Sequence, residues 1–527
     1  MIIKKRLIWT LAALGVATVL FLSFAGCGKN KNEVVKIKGV VVEKFEVQKE
    51  PLWDPAAAAA AAMKAAGGSG SPGGAGGSGG TGGPGGSGMP AGGAGGPGGA
   101  AGGPPGAGEK STPAVYIDNG GYAAGKSKTS VVSAGEIKDS YASNVKIAAK
   151  EANTGGVYVK GSKSQFTLTG SDIDLSGNIN GLGGAGSGAA SDDHSTLILR
   201  NVNITASGVG RSATSAENYS TLIVNNSTLI AHGVPFDSTD TSPPKALAMQ
   251  GNARAHVTMS NSESYFNNST IIADGWGALS TDASGGYVYI EANHCDIQTT
   301  KSGYGTYADH YCIVAFNDCK VTTTTYTAIV DKNGKVYLKD VNATSGKYCA
   351  LMHNSGMPAT TISTLEITGG RIETQDAVIL ASSTNTNILF DGAKVVSKNG
   401  VLIQSKVNDI DLSSRPSKGQ KVYGIHATFR DMDVAGDFVH KDPERSMSVN
   451  LESTTLKGAI NSQNVYLTID AGSKWTATAD SQVAIVGNID ISQIDAPAGV
   501  TITAEAGENG TYTLASGGKL ILKAKAV

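Results

Sequence analysis

The sequence predicts an all-β solenoid, on three observations. Short runs alternating apolar and polar residues recur along the chain, each closed by Asn, Asp or Gly. Their turn residues fall at near-constant steps, and no segment after Thr112 keeps a 3.6-residue apolar period for three turns. The runs include TLILRNVNI (196–204), TLIVNNSTL (221–229), VYIEANHCDI (288–297), CIVAFNDCKV (312–321) and VYLKDVNAT (336–344). Later members are LEITGGRIE (365–373), ILFDGAKVV (388–396), ATFRDMDV (427–434) and VNLESTTL (449–456). With Asn201, Asn225, Asn293, Asn317, Asp340, Gly369 and Asp391 as the turn column, adjacent steps of 24, 24, 23, 29 and 22 residues recur. One coil of such a chain buries no inner face alone, so neighbouring coils stack about 4.8 Å apart. About 16 coils would form a rod on the order of 75 Å long. A β-sandwich shares the short strand runs and is the competing architecture.

Composition narrows the function. The 527 residues carry 43 Lys+Arg against 44 Asp+Glu, and this near-neutral balance supplies no field to attract nucleic acid or an anionic membrane. Of 70 glycines, 24 lie in residues 67–108, a Gly/Pro/Ser/Ala tract too poor in apolar side chains to build a core. Residues 55–108 therefore read as a disordered linker, and 109–527 as the folded domain. Val34 to Val47 alternates well enough for one or two short strands within a 27–54 segment.

The first 26 residues have the layout of an export signal: Lys4, Lys5 and Arg6, an apolar run from Leu7 to Phe24, then Ala25 and Gly26 before Cys27. This resembles the lipobox of bacterial lipoproteins, with Phe24 standing where that family usually has Leu. The resemblance implies cleavage before Cys27, acylation of its thiol by a fatty chain such as palmitate, and attachment to a membrane outside the cytoplasm. The competing reading is an uncleaved anchor helix, since the run from Leu7 to Phe24 is 18 residues long and just suffices to span a bilayer. The tract 55–108 would then be a tether between lipid and folded head.

The repeat region resembles the right-handed parallel β-helix of pectin-lyase-like proteins and bacterial surface adhesins. Near its end, SKWTATADSQV (473–483) resembles the Ser-x-Trp…Asp-Ser segment that closes autotransporter passenger domains. The resemblance implies a surface-exposed binding or adhesive rod for polysaccharide or another envelope component. Its alternative is a polysaccharide lyase or glycoside hydrolase. The glycosidase motifs of this fold are incomplete here: Asp192-Asp193-His194, Ala231-His232-Gly233 and Arg371-Ile372-Glu373 each lack a part. No catalytic set is assigned from them.

Three side-chain columns stand out. The asparagines are expected to stack and bond to one another along the rod, as structure rather than as ligand. Cys295 and Cys319 each follow a column Asn by two residues, which puts them one coil apart, within disulfide range; a buried thiol ladder is the other reading. Aligning ALSTD (278–282), TYAD (306–309), AIVD (328–331) and ALMH (350–353) stacks Asp282, Asp309, Asp331 and His353. Carboxylates about 4.8 Å apart repel unless protonated, solvated or bridged by a cation such as calcium. The same alignment places Tyr307, Ile329, Leu351, Ile379 and Leu402 in an apolar column beside them, facing out with the acids. Tyr307, Asp309, Asp331 and His353 are thus the candidate ligand groove, with Asp282, Asp309 and Asp331 as candidate calcium ligands.

Overall fold

The computed structural model describes residues 35–41, 111–179, 183–233, 252–282, 286–355, 359–408 and 415–525. The leader, Cys27, the linker 55–108 and the insertion at 234–245 lie outside the described residues. Among the described residues no helix is long and apolar enough to cross a membrane.

The chain is a right-handed parallel β-helix. Each coil contributes three strands, as in Gly277–Asp282, Val288–Asn293 and Asp296–Thr299, then Tyr304–Ala308, Cys312–Asn317 and Lys320–Thr323. Strands stack in parallel on three faces: the first is a 13-stranded sheet that includes every coil from Thr112–Asp118 to Asp437–His440. The second face shows why the sequence alternates. In Cys312–Asn317, Cys312, Val314 and Phe316 are buried while Ile313, Ala315 and Asn317 lie at the outer side. The interior is a single apolar column in which like residues meet, for example Phe390 stacked on Phe429 at 5.0 Å. Trp475, of the segment resembling the passenger closure, is fully buried there and donates its indole N–H to the Gly458 carbonyl at 2.9 Å.

The predicted turn column resolves into two adjacent ones. Asn225, Asn267, Asn293 and Asn317 form a chain of side-chain amide bonds of 3.0, 3.0 and 2.9 Å. Asn201 is a correction, because Asn225 pairs with Arg200 and Asn201 falls one residue later. It joins Asn226, His294, Asp318, Asp340 and Gly369 at a left-handed position, φ 49 to 63°. Asn, Asp and Gly tolerate that conformation, so both columns share a residue vocabulary although only one is a bonded ladder.

One residue further lies a third, buried column. Val202 N–H donates to Ser227 Oγ at 3.0 Å, Ser227 N–H to Ser269 Oγ at 3.1 Å, and Cys295 N–H to Cys319 Sγ at 3.4 Å. Cys295 and Cys319 are free thiols occupying serine positions of this ladder. The contact with Cys295 and burial both push the Cys319 thiol up, away from the reactive thiolate.

Both ends of the stack are covered, as open strand edges require. Val132–Ile137 folds antiparallel on Tyr141–Ala149 at the start, and Gly510–Thr513 on Lys519–Ala524 at the finish. A third cover comes from the other side of the linker. Lys36–Lys38 pairs antiparallel with Asn488–Asp490, and Val40 bridges Val486. Ile37 is fully buried and Val40 nearly so, each burial contributing roughly 1.5–3 kcal/mol. This corrects the expectation of a linker standing between anchor and fold, because the solenoid's last coils already include residues that precede it.

One polar residue inside the rod ties stability to pH. The His256 ring is enclosed, with Thr214 Oγ1 2.9 Å from Nδ1, Thr258 Oγ1 2.6 Å from Nε2 and Phe266 edge-on at 4.8 Å. Thr258 already donates to Ser264, so it accepts from the imidazole, which is neutral. Burial pushes its pKa down to about 3. A depressed histidine contributes stability that is present above about pH 6.5 and lost as pH falls toward 3. Urea unfolding at pH 7 and pH 4 should show wild type losing about 3 kcal/mol more than His256→Gln over that interval.

Candidate functional site

The acidic column extends well beyond the four residues predicted. Along one edge of the first face, Asp118 pairs with Lys160, Lys160 with Asp192, Met259 with Asp282, Asp331 with His353, His353 with Ser382, and Ser382 with Lys406. Asp309 follows Ala308, which pairs with Val330, so Asp309 and Asp331 are level in adjacent coils. The structure therefore brings Asp309, Asp331 and His353 into one stack, as the alignment requires. Pairing of Ser280 with Tyr307 sets Asp282 level with Asp309.

The charges of this stack are answered by protein groups. Lys332 reaches Asp309 at 3.0 Å, both side chains being largely buried. Burial pulls Lys332 down, but the charges of Asp309 and Asp331 outweigh it and hold the ammonium above its ordinary value. Asp331 is entirely buried and accepts from Tyr307 Oη at 2.8 Å, from Ser355 N–H at 2.9 Å and from the Ser355 hydroxyl. Burial, then the Asp331 and Asp309 charges, raise the Tyr307 phenol, so it stays a donor. Among the described residues no three His, Cys, Asp or Glu side chains gather as a metal site. The Lys332 ammonium and the Tyr307 and Ser355 donors stand where a bridging cation would otherwise be needed.

The apolar column faces outward but is covered. Tyr307, Ile329, Leu351 and Leu380 join Trp276, Tyr304 and Tyr326 in a buried cluster separate from the interior core. Ile379 and Leu402 are corrections: Leu351 pairs with Leu380, and Ile379 and Leu402 belong to the interior. The runs VILA and VLIQ are apolar at nearly every position, so alternation could not set their register.

Two features were missed. The first lies in the same column, three to four coils before Asp309. Asp192 accepts from Asn218 Nδ2 at 2.7 Å, Lys160 Nζ at 3.0 Å and the Tyr158 hydroxyl. Burial would raise Asp192, but those bonds from Tyr158, Asn218 and Lys160 hold it below the usual carboxylate range. Glu217 follows Ala216, which pairs with Ser191, so it stacks on Asp192 one coil along. Burial and the Asp192 charge push Glu217 up to about 7. Two stacked carboxyls with pKa values driven apart are the arrangement by which one acts as acid while its neighbour stays ionised. The sequence signal was Asp192-Asp193-His194, but Glu217 is placed only by coil register.

The second is a groove of about 930 Å³ on the outer side of the second face, continuous with one of about 310 Å³ through Tyr423, His426 and Asn450. Tyr423 stacks on His426 at 4.0 Å and donates its hydroxyl to Asn387 Oδ1 at 2.6 Å. Burial lowers the pKa of His426, while the Tyr423 carbonyl, 3.0 Å from Nε2, opposes the shift. Lys525 lies over the Tyr466 ring at 5.7 Å, and Arg430 is held by Glu452 at 2.8 Å. Its only trace in sequence was the long stretch between the strands Val401–Lys406 and Ile425–Arg430, which brings in Tyr423.

No family model, curated protein or solved structure matches this chain. The class is therefore set by the fold: a parallel β-helix with a polar, aromatic-lined outer groove.

The stacked carboxyls give a pH signature. Glu217 is a carboxyl whose folded pKa is raised, so its contribution favours the fold below about pH 4.5 and is lost as pH rises through 7. Glu217→Gln should therefore be more stable than wild type at pH 8, by on the order of 2 kcal/mol, with the difference vanishing near pH 4 in denaturant titrations.

Proposed function

We propose that this protein is an envelope lipoprotein, held to a membrane by an acyl group on Cys27 and facing away from the cytoplasm, whose β-helix is a binding rod for polysaccharide. The order of basic residues, apolar run, Ala25, Gly26 and Cys27 supports the anchor. The observation that carries the binding reading is the groove with its Tyr423–His426 stack. Flat rings offer a surface to the C–H faces of sugars, and Asn387, Asn450 and Thr428 offer amides and a hydroxyl to sugar hydroxyls. The groove crosses coils that repeat about every 4.8 Å, a spacing suited to a ligand that itself repeats. Its charged groups largely answer one another, Arg430 with Glu452 and Asp391, which suits a neutral glycan.

A second reading, a glycoside hydrolase or lyase, is favoured by the Asp192–Glu217 pair, with Glu217 as the proton donor and Asp192 as the ionised partner. One experiment separates the two. The chain from Gly28 onward is titrated with neutral and acidic polysaccharides, reading binding and new chain ends together. The binding reading expects saturable binding without new ends, weakened at least about tenfold by Tyr423→Ala through loss of the ring surface and untouched by Glu217→Gln. New ends that vanish in Glu217→Gln would establish the enzyme instead, and no binding to any glycan would end the polysaccharide reading. The anchor is tested separately: Cys27→Ser expressed in a bacterial host should accumulate at precursor mass or leave the membrane fraction. An unchanged mass and unchanged membrane retention would rule out acylation there.

A further inference from the structure

The segment Lys36 to Val41 is discontinuous in sequence with the coil it completes, and its seat is specific. Gly39 N–H donates to the Gly487 carbonyl at 2.7 Å and Val40 N–H to that of Ile485 at 2.8 Å. Gly507 N–H donates to the Lys38 carbonyl at 2.7 Å, and Lys38 N–H to Glu508 Oε1 at 3.0 Å. Ile37 enters the interior core opposite Ile489. Any Cβ on Gly39 would stand 2.1 Å from the Gly487 oxygen, so the seat accepts only glycine there. Lys36 stands opposite Asp490 in the register, and the Glu508 carboxylate accepts from the Lys38 backbone. The last coils thus read a short extended strand by hydrogen bonds, two apolar anchors and one glycine.

What delivers that strand is residues 42–110, a stretch of 69 residues that re-enters the solenoid at Ser111, in its first coil. From the site near Gly487 back to that coil the rod measures roughly 60 Å at about 4.8 Å per coil. On the flexible-chain scale of about 5–6 Å times the square root of the residue number, 69 residues would average roughly 46 Å end to end. On that scale a linker of this length would present the strand to its own site at an effective concentration on the order of 0.4 mM. A second copy at similar local density competes on equal terms.

We propose that the seat at Ile485 to Asp490 is a strand-acceptor site filled in trans by residues 36–41 of a second copy wherever the protein is dense, so that the chain assembles by exchanging its own N-terminal strand. The seat is incomplete without a donor, and the donor's chemistry is fixed by this sequence. Exchange forms no new type of contact and leaves the acid column unaltered, while Val41, which lines the edge of the groove, would then come from the second copy.

The test uses two differently tagged full chains, both carrying Cys27→Ser, one with Lys38→Cys and the other with Asn488→Cys, since these positions are paired and exposed. They are mixed over a range from about 10 μM to about 1 mM, spanning the estimated effective concentration, mildly oxidised and run on a non-reducing gel. A mixed-tag dimer that rises with concentration, with its half-point at a few tenths of a millimolar, and that disappears when the Lys38→Cys chain also carries Gly39→Leu, is the expected result. A single chain bearing both cysteines should close on itself at the lowest concentration. If that double variant closes but the mixture gives no mixed dimer at the highest concentration, exchange does not occur. If the double variant does not close, or if Gly39→Leu leaves the mixed dimer intact, the seat is not the acceptor.

Discussion

Each coil of this protein satisfies its backbone hydrogen bonds only through the coils above and below it, and that constraint governs the rest. Parallel pairing at about 4.8 Å fixes the register, and register stacks every side chain on its counterpart. Residue types that bond to themselves are then favoured along a column. Amides at Asn225, Asn267, Asn293 and Asn317, rings at Phe390 and Phe429, and hydroxyls and thiols from Ser227 to Cys319 all meet this condition.

Carboxylates do not meet it, and the column from Asp118 to Lys406 shows two ways of living with the conflict. At Asp309 and Asp331 the charge is answered locally, by Lys332 from the neighbouring coil and by Tyr307 and Ser355. Glu217 stacks on an Asp192 whose donors are already committed to it, and the tension appears as a raised pKa instead. Groups whose environments push them apart in this way occur where chemistry or switching is performed, and in structural ion networks as well. The first solution makes Tyr307, Asp309 and Asp331 part of the scaffold's own electrostatics. The second leaves Glu217 the less settled group.

The same pairing rule makes the ends of the stack its weak points. A coil with no successor exposes a row of unsatisfied backbone groups. Hairpins cover part of both ends, but near the C-terminus cover also comes from residues 36–41, which belong to the far side of the linker. That arrangement leaves the outer groove, bordered by Val41 and Lys525, next to the place where residues 36–41 meet the last coils.

The sequence alone determined the solenoid, because alternation within runs and a near-constant step between turns are one-dimensional traces of stacked coils. It also determined which residues share a column where the pattern has contrast, as in TYAD, AIVD and ALMH. Where every position is apolar, as in VILA and VLIQ, register was invisible, and pairing put Leu380 outside and Ile379 inside. Asn201 looked like a ladder member because amide stacking and left-handed turns select the same residues. Tertiary structure alone decided three things: Lys332 as the counter-charge, Glu217 above Asp192, and the Tyr423–His426 groove. Each depends on how long the turns between strands are and where they fold back, and a strand's alternation carries no information about the loop that follows it.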